Sequence, residues 1–240
     1  VAFFAYPDRP STPEAADCRM LDLCAPTMDI AWTLQALIEA TGAEDAEPAL
    51  LSLEEPELPT GALTLEKVGD ALAALLPEGA IIVNETVTAG AAVLPPSRTA
   101  RNHDLLYNPG GAIGAALPLA VGAAVACPDR KVIAPTGDGS AMYTLQSLWT
   151  MAREQLDVTV LVFANRGYQI LRVELANVGV QNIGRNAERM FNVEDPQLDW
   201  VSLSRGHGVP AARVADMESF ADAFRDAMET PGPYLIEVIC

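Results

Sequence analysis

Cysteine and histidine are scarce: four cysteines, at positions 18, 24, 127 and 240, and two histidines, His103 and His207, in 240 residues. None of the cysteines forms a Cys-x-x-Cys pair, which argues against both a structural zinc site and a disulfide framework. Basic residues are few as well. Fifteen Lys and Arg against 32 Asp and Glu leave a net charge of −17. The basic residues form no run, and a surface of that sign repels a phosphate polyanion, so nucleic acid is excluded as a partner. No apolar stretch approaches the ~20 residues of a membrane span. The longest, Ala112–Ala126, is rich in Ala and Gly and carries Pro118, so it reads as a tightly packed helix of a soluble protein. No basic segment followed by an apolar one opens the sequence, and a cytoplasmic location is the expectation. Internal repeats are absent.

What is present is apolar and ordered. Half of the residues are hydrophobic, enough for a sizeable core in one α/β domain with an appended piece. From Thr64 onward helical and strand patterns alternate, which predicts a mostly parallel sheet with helices on both faces. Thr64 is placed to cap a helix through Leu76, with Leu65, Val68, Leu72 and Leu75 along one face. Ala80–Val83 reads as a buried strand, and helix Ala112–Ala126 follows a Pro-Gly-Gly turn. Strand Lys131–Thr136, helix Tyr143–Glu154, strand Val158–Ala164, a short helix near Trp200–Arg205, helix Glu218–Met228 and strand Tyr234–Val238 follow. Val1–Pro7 has the look of a strand inside a further domain.

Chemistry concentrates between Lys131 and Asn165. One apolar run ends in Gly137-Asp138-Gly139-Ser140 and the next in Ala164-Asn165-Arg166-Gly167, so two strand ends each deliver an oxygen ligand of the kind a hard cation takes. The glycines let the backbone approach a bound group closely, and a helix start there favours a phosphate. Asp138 is badly placed against a bare anion. It makes sense with a divalent cation between carboxylate and phosphate, to which Asn165 adds a neutral amide oxygen. In open α/β sheets ligands bind beyond the carboxyl ends of the strands, where Thr88, Asp138 and Asn165 all fall.

Gly-Asp-Gly followed after 25 residues by Asn165 resembles the motif of enzymes dependent on thiamine diphosphate and magnesium. A Gly-Asp-Gly turn alone is an ordinary turn, but further blocks match. Asn84-Glu85-Thr86-Val87-Thr88, Gly110 through Pro118, Gly137 through Tyr143, and Gly232-Pro233-Tyr234-Leu235-Ile236-Glu237 resemble successive blocks of the diphosphate-binding domain in acetolactate synthases and benzoylformate decarboxylases. Many members carry two asparagines at the second site, whereas here Ala164 precedes Asn165.

The resemblance implies a thiamine diphosphate-binding fold and a division of the chain: residues 1–41 as the tail of a central domain, 42–63 as an acidic, proline-bearing linker, and 64–240 as the diphosphate- and magnesium-binding domain. Magnesium prefers octahedral oxygen ligation with few protein ligands. Asp138, Asn165 and the carbonyl of Gly167 would supply three oxygens, with diphosphate and water completing the shell. Ser140 and the N–H of Tyr168 could donate to phosphate, and the resemblance adds Thr88 as a donor. It also gives the Gly111 carbonyl and the Ile113 amide to the aminopyrimidine, with the Ile113 side chain as a wedge that bends the cofactor toward its own reactive carbon.

The implied activity is conversion of a 2-oxo acid by the parent enzyme, acetolactate synthase-like carboligation ahead of benzoylformate decarboxylase-like decarboxylation. A non-catalytic, cofactor-binding or structural subunit is the alternative of another class. The implied catalytic Glu would come from the pyrimidine-binding domain of a second subunit in a homodimer or homotetramer. This chain alone is then expected to be inactive. The resemblance leaves FAD in the parent protein open, and nothing in these residues calls for it. His103 and His207 belong to no matched block and read as surface or loop residues, Trp149 and Met151 as core, and Glu174 as an exposed carboxylate.

Overall fold

The computed structural model describes residues 23–25, 27–47, 50–54, 56–180 and 182–240; the strand expected at Val1–Pro7 lies outside them. The described residues divide into two compact units between Leu50 and Leu51. In the first, helix α1 (Ile30–Thr41) is opened by Asp29, whose carboxylate accepts from the Trp32 N–H, and closed by Gly42 at φ 65°.

The second unit is built on six strands: β1 (Ala80–Asn84), β2 (His103–Tyr107), β3 (Val132–Gly137), β4 (Val158–Ala164), β5 (Ala211–Val214) and β6 (Tyr234–Ile239). They run in the order β2-β1-β3-β4-β6-β5, and every neighbouring pair is parallel. Helix α2 (Leu65–Leu75) precedes them, and between them lie helices α3 (Gly90–Val93), α4 (Ala116–Ala126), α5 (Asp138–Ala141), α6 (Ser147–Arg153), α7 (Gln169–Asn177), α8 (Arg185–Phe191), α9 (Trp200–Gly206) and α10 (Met217–Glu229). The expected α/β fold is therefore present.

Burial explains why the sheet is parallel. Strands β1 and β4 are buried at every residue, as continuous apolar runs covered on both faces must be. Alternate side chains feed two cores. Ile81, Val83, Val132, Ala134, Val160 and Val162 pack with Leu117 and Ala120 of α4, Leu148 and Met151 of α6, and Trp200 of α9. Ile82, Ile133, Leu161, Phe163 and Ile236 pack with Val68 and Leu72 of α2 and with Phe220 and Phe224 of α10. The two phenylalanines stack with centroids 5.6 Å apart. Lys131 is buried just before β3, yet its ammonium donates to the Asp157 carboxylate and to the carbonyls of Ala227 and Thr230, which uses all three N–H groups.

Two helices and one side chain depart from the sequence pattern. The helix expected at Ala112–Ala126 starts at Ala116, because Gly110, Gly111 and Gly114 all sit at positive φ. The helix expected at Tyr143–Glu154 is Ser147–Arg153, preceded by a separate single turn, α5. Met151 is in the core as expected, but Trp149 is 51 % exposed, with the Arg153 guanidinium 5.3 Å from its ring centre.

The strand order places the site. From β1 the chain moves outward to β2, then crosses back to β3 on the other side of β1. The crevice beyond the carboxyl ends of β1 and β3 is thus a topological switch point, where open α/β sheets take their ligands.

Candidate functional site

Beyond those strand ends lies a cavity of about 800 Å3. Thr88, Gly111, Ile113, Gly137, Asp138, Gly139, Ser140, Asn165, Gly167 and Tyr168 all line it. Four segments bring them together.

The first segment leaves β1. Asn84 turns the chain, its buried side-chain oxygen accepting from the Thr86 N–H at 3.0 Å and the Thr86 hydroxyl at 2.7 Å. Val87 then sits at φ 47°, a strained conformation for a β-branched residue, and the chain reaches Thr88 on the wall. The second segment is the loop before α4, where Gly110 and Gly111, at φ 73° and 66°, bring the backbone round to Ile113. Ile113 is 46 % exposed, an unusual state for an isoleucine beside two cores.

The third segment leaves β3. Asp138 is 3 % exposed; its two carboxylate oxygens accept from the Gly139 N–H at 2.8 Å and the Arg166 N–H at 2.7 Å. Burial raises this carboxyl above the usual carboxylate range, and the two backbone N–H groups oppose that rise. Gly139 is required here, because a Cβ would lie 2.5 Å from the Tyr168 ring. The Tyr168 hydroxyl is raised by burial and then by Tyr143.

The fourth segment leaves β4. The Asn165 side-chain oxygen accepts from the Gly167 N–H at 3.1 Å, and Arg166 between them sits at φ 59°. Two details differ from the sequence reading. The Tyr168 N–H, expected to face a phosphate, donates to the Phe191 carbonyl at 2.8 Å. The helix start at Asp138 is the four-residue α5, so any dipole there is that of one turn.

The electrostatics restrict what can enter. Among the described residues no Lys, Arg or His lines the cavity, and no group of three or more His, Cys, Asp and Glu side chains could hold a metal unaided. An anion there would meet the Asp138 and Glu85 carboxylates with no basic side chain among the lining residues to offset them. One carboxylate and one amide oxygen from adjacent strand ends leave most positions of a hard divalent ion to be filled by the anion and water, the donor set that magnesium takes with phosphates.

His103 and His207 lie away from the cavity, their Nδ1 atoms 2.8 Å from the carbonyls of Arg101 and Leu203. Glu174 is exposed on α7. Sequence reasoning passed over Glu85, which is 5 % exposed and whose carboxylate accepts from the backbone N–H groups of Gly114, Ala115 and Ala116, where the loop enters α4. A Glu that directly continues a fully buried strand was the available signal, since a buried charge needs partners.

The chain is similar to known proteins along most of its length. A family model described as thiamine pyrophosphate enzyme, C-terminal TPP binding domain, matches residues 87–238. IlvX of Mycobacterium tuberculosis, provisionally named an acetolactate synthase large subunit, is 45 % identical over all of this chain and 46 % of its own length. Benzoylformate decarboxylase of Pseudomonas aeruginosa is 33 % identical over 88 % of this chain and 39 % of its own. Among solved structures, the thiamine diphosphate-dependent 4-hydroxybenzoylformate decarboxylase of Rhodococcus jostii superposes with a TM-score of 0.74 at 30 % identity, over 91 % of this chain and 40 % of that one. The chain thus spans less than half the length of these relatives.

Proposed function

This chain belongs to the thiamine pyrophosphate enzyme family through its C-terminal TPP-binding domain, and from that premise we propose that it is the C-terminal part of a thiamine diphosphate- and Mg2+-dependent enzyme acting on 2-oxo acids. The observation that carries the reading is a cavity of about 800 Å3 lined by residues from three strand ends and a glycine loop. Carboligation after decarboxylation, as the name acetolactate synthase implies, has the support of 45 % identity along the whole chain. Decarboxylation alone is the second reading, favoured by the superposition on a 4-hydroxybenzoylformate decarboxylase at a TM-score of 0.74.

In this proposal Asp138, Asn165 and the Gly167 carbonyl hold Mg2+, while Ser140 and Thr88 donate to the diphosphate. The Gly111 carbonyl and Ile113 N–H would meet the aminopyrimidine, and the Ile113 side chain would wedge against the bound cofactor and orient its rings. Bound there, thiamine diphosphate would supply a nucleophilic thiazolium carbon and an electron sink for decarboxylation. The protein's part is to orient, to neutralise charge and to keep water out. The remaining cover, and the carboxylate that promotes proton removal, are assigned to the pyrimidine-binding domain of a second subunit in a homodimer or homotetramer.

Calorimetric titration with thiamine diphosphate, with and without Mg2+, tests the cofactor. Binding that requires Mg2+ is expected, and its absence would overturn the reading. Pyruvate and benzoylformate, each supplied with both cofactors, test the division of labour. No carbon dioxide or acyloin is expected from this chain alone, and clear turnover would show that its site is self-contained.

A further inference from the structure

Glu85 has no role in the chemistry proposed above, yet it joins two walls of the cavity. Its backbone N–H donates to the Pro135 carbonyl at 2.9 Å, fixing it to β3. One carboxylate oxygen accepts from the N–H groups of Gly114 and, at 3.2 Å, Ala115; the other accepts from Ala116 at 2.8 Å. Helix α4 has no side-chain cap of its own at Ala115, so Glu85 satisfies first-turn donors that would otherwise be orphaned. Two further side chains fix the same loop from other directions. The Thr144 hydroxyl donates to the Gly114 carbonyl at 2.7 Å, and the Asn108 amide donates to the Ala112 carbonyl. Gly114 itself, at φ +84°, has room for no Cβ, which would lie 2.6 Å from the Cβ of Tyr143.

Resting on the cofactor reading, we infer that Glu85 is a positioning residue: its carboxylate holds the Gly111–Ile113 loop at a set distance from the Thr88 segment. The diphosphate end and the pyrimidine end of the cavity are thereby kept in register. A carboxylate suits this task because it only accepts, and three converging N–H groups need an acceptor with several lone pairs. Glutamine has nearly the same shape but turns one of those acceptors into a donor. It would face the N–H groups with an N–H of its own.

The test uses Glu85→Gln in the full 240-residue chain, with hydrogen exchange and calorimetry side by side. Amide protection of residues 110–117 should fall about tenfold, the scale of one lost hydrogen bond to a buried charged acceptor, while protection in the sheet is unchanged. Mg2+-dependent affinity for thiamine diphosphate should fall by a similar factor, and affinity for Mg2+ with inorganic diphosphate should stay within about twofold. A merely structural cap would lower both affinities together or neither, and either result overturns the inference, as does unchanged protection of the loop. If the unsubstituted chain takes up neither ligand, the cofactor reading falls. Exchange then still decides whether Glu85 fixes the loop. Should Glu85→Gln fail to fold, Glu85→Asp, which keeps the charge but shortens the reach, is judged by the same readouts.

Discussion

Two sets of residues line the cavity, and they are held in opposite ways. Asp138, Glu85 and Ser140 are 3 %, 5 % and 7 % exposed; Glu85 and Asp138 directly follow β1 and β3, and Ser140 lies in the single turn α5 that continues β3. Ile113, Val87 and Ile170 are 46 %, 54 % and 36 % exposed, and α7, which begins at Gln169, has no buried residue at all. The sheet determines where the first set lies. Once β1 and β3 are in register, with Ile81 opposite Val132, the positions of Glu85 and Asp138 follow, and little entropy remains to be lost when a ligand binds. The second set has no such support, and exposed apolar residues grouped along one rim mark a surface that meets something else. In the proposed reading the buried set anchors charge and the exposed set shapes the reacting end.

The largest way to break this contrast is to remove the anchor. Asp138→Ala should weaken Mg2+-dependent thiamine diphosphate binding by about 100-fold or more, since losing even a residue that supports a metal ligand costs up to that much. Asn165→Ala should act in the same direction but less, because a neutral amide oxygen holds a divalent ion more weakly than a carboxylate does. Calorimetry on both variants checks this, and unchanged affinity in Asp138→Ala would remove the buried set from the binding site.

Gly139→Ala comes next. The added methyl would meet the Tyr168 ring at 2.5 Å and 2.8 Å, so the ring would have to shift. Overpacking of this kind costs about 1–3 kcal/mol. The expected outcome is a lower thermal midpoint together with roughly tenfold weaker cofactor binding. A variant that lost stability but bound normally would show that Tyr168 packs against the site without shaping it.

The buried set was also the more legible one in the sequence. Strands β3 and β4 are largely apolar and buried, and the residues that directly follow them, Asp138 and Asn165, carry the motif. The edge strands were not legible. β2 is His-Asp-Leu-Leu-Tyr and β5 is Ala-Ala-Arg-Val; each is short, polar in part and paired along one side only, so neither has a buried run to recognise. Glu85 escaped for a different reason. Its three partners lie 29, 30 and 31 residues away, and no local periodicity reports a hydrogen bond closed by the sheet. Trp149 lies at helical spacing from Leu145 and Ala152, yet its ring stands outside, with Arg153 beside it, because Leu145, Leu148, Met151 and Ala152 form the face that packs on the core.

Ile113→Ala sharpens the comparison from the exposed side. With the side chain 46 % exposed, its loss should change folding stability by no more than about 0.5 kcal/mol. Turnover by the complete enzyme should fall more than cofactor affinity does, because the diphosphate anchor is untouched while the bend between the rings is loosened. Equal losses in kcat and cofactor Kd, measured on one preparation, would make Ile113 a purely structural residue.

The smallest expected effect is a pH dependence that changes sign when ligand binds. Burial holds the folded-state pKa of Asp138 above its ordinary value, so the native state binds this proton more tightly than the unfolded chain does. Stability from that difference is fully present below the unfolded pKa and is lost as pH rises through the folded one. Comparing the chain with Asp138→Ala cancels most other titrations. As pH rises from about 4 to about 7, the thermal midpoint of the ligand-free chain should drop relative to that of the variant. Mg2+ and thiamine diphosphate favour the ionised carboxylate and so depress the pKa, and stability would then be lost as pH falls rather than as it rises. In their presence the midpoint of the unsubstituted chain should climb over the same range while that of the variant does not. Parallel midpoints in both conditions would mean that the Asp138 proton is indifferent to folding and to ligand, and the buried carboxylate could not then be the anchor that sets the two sides of the cavity apart.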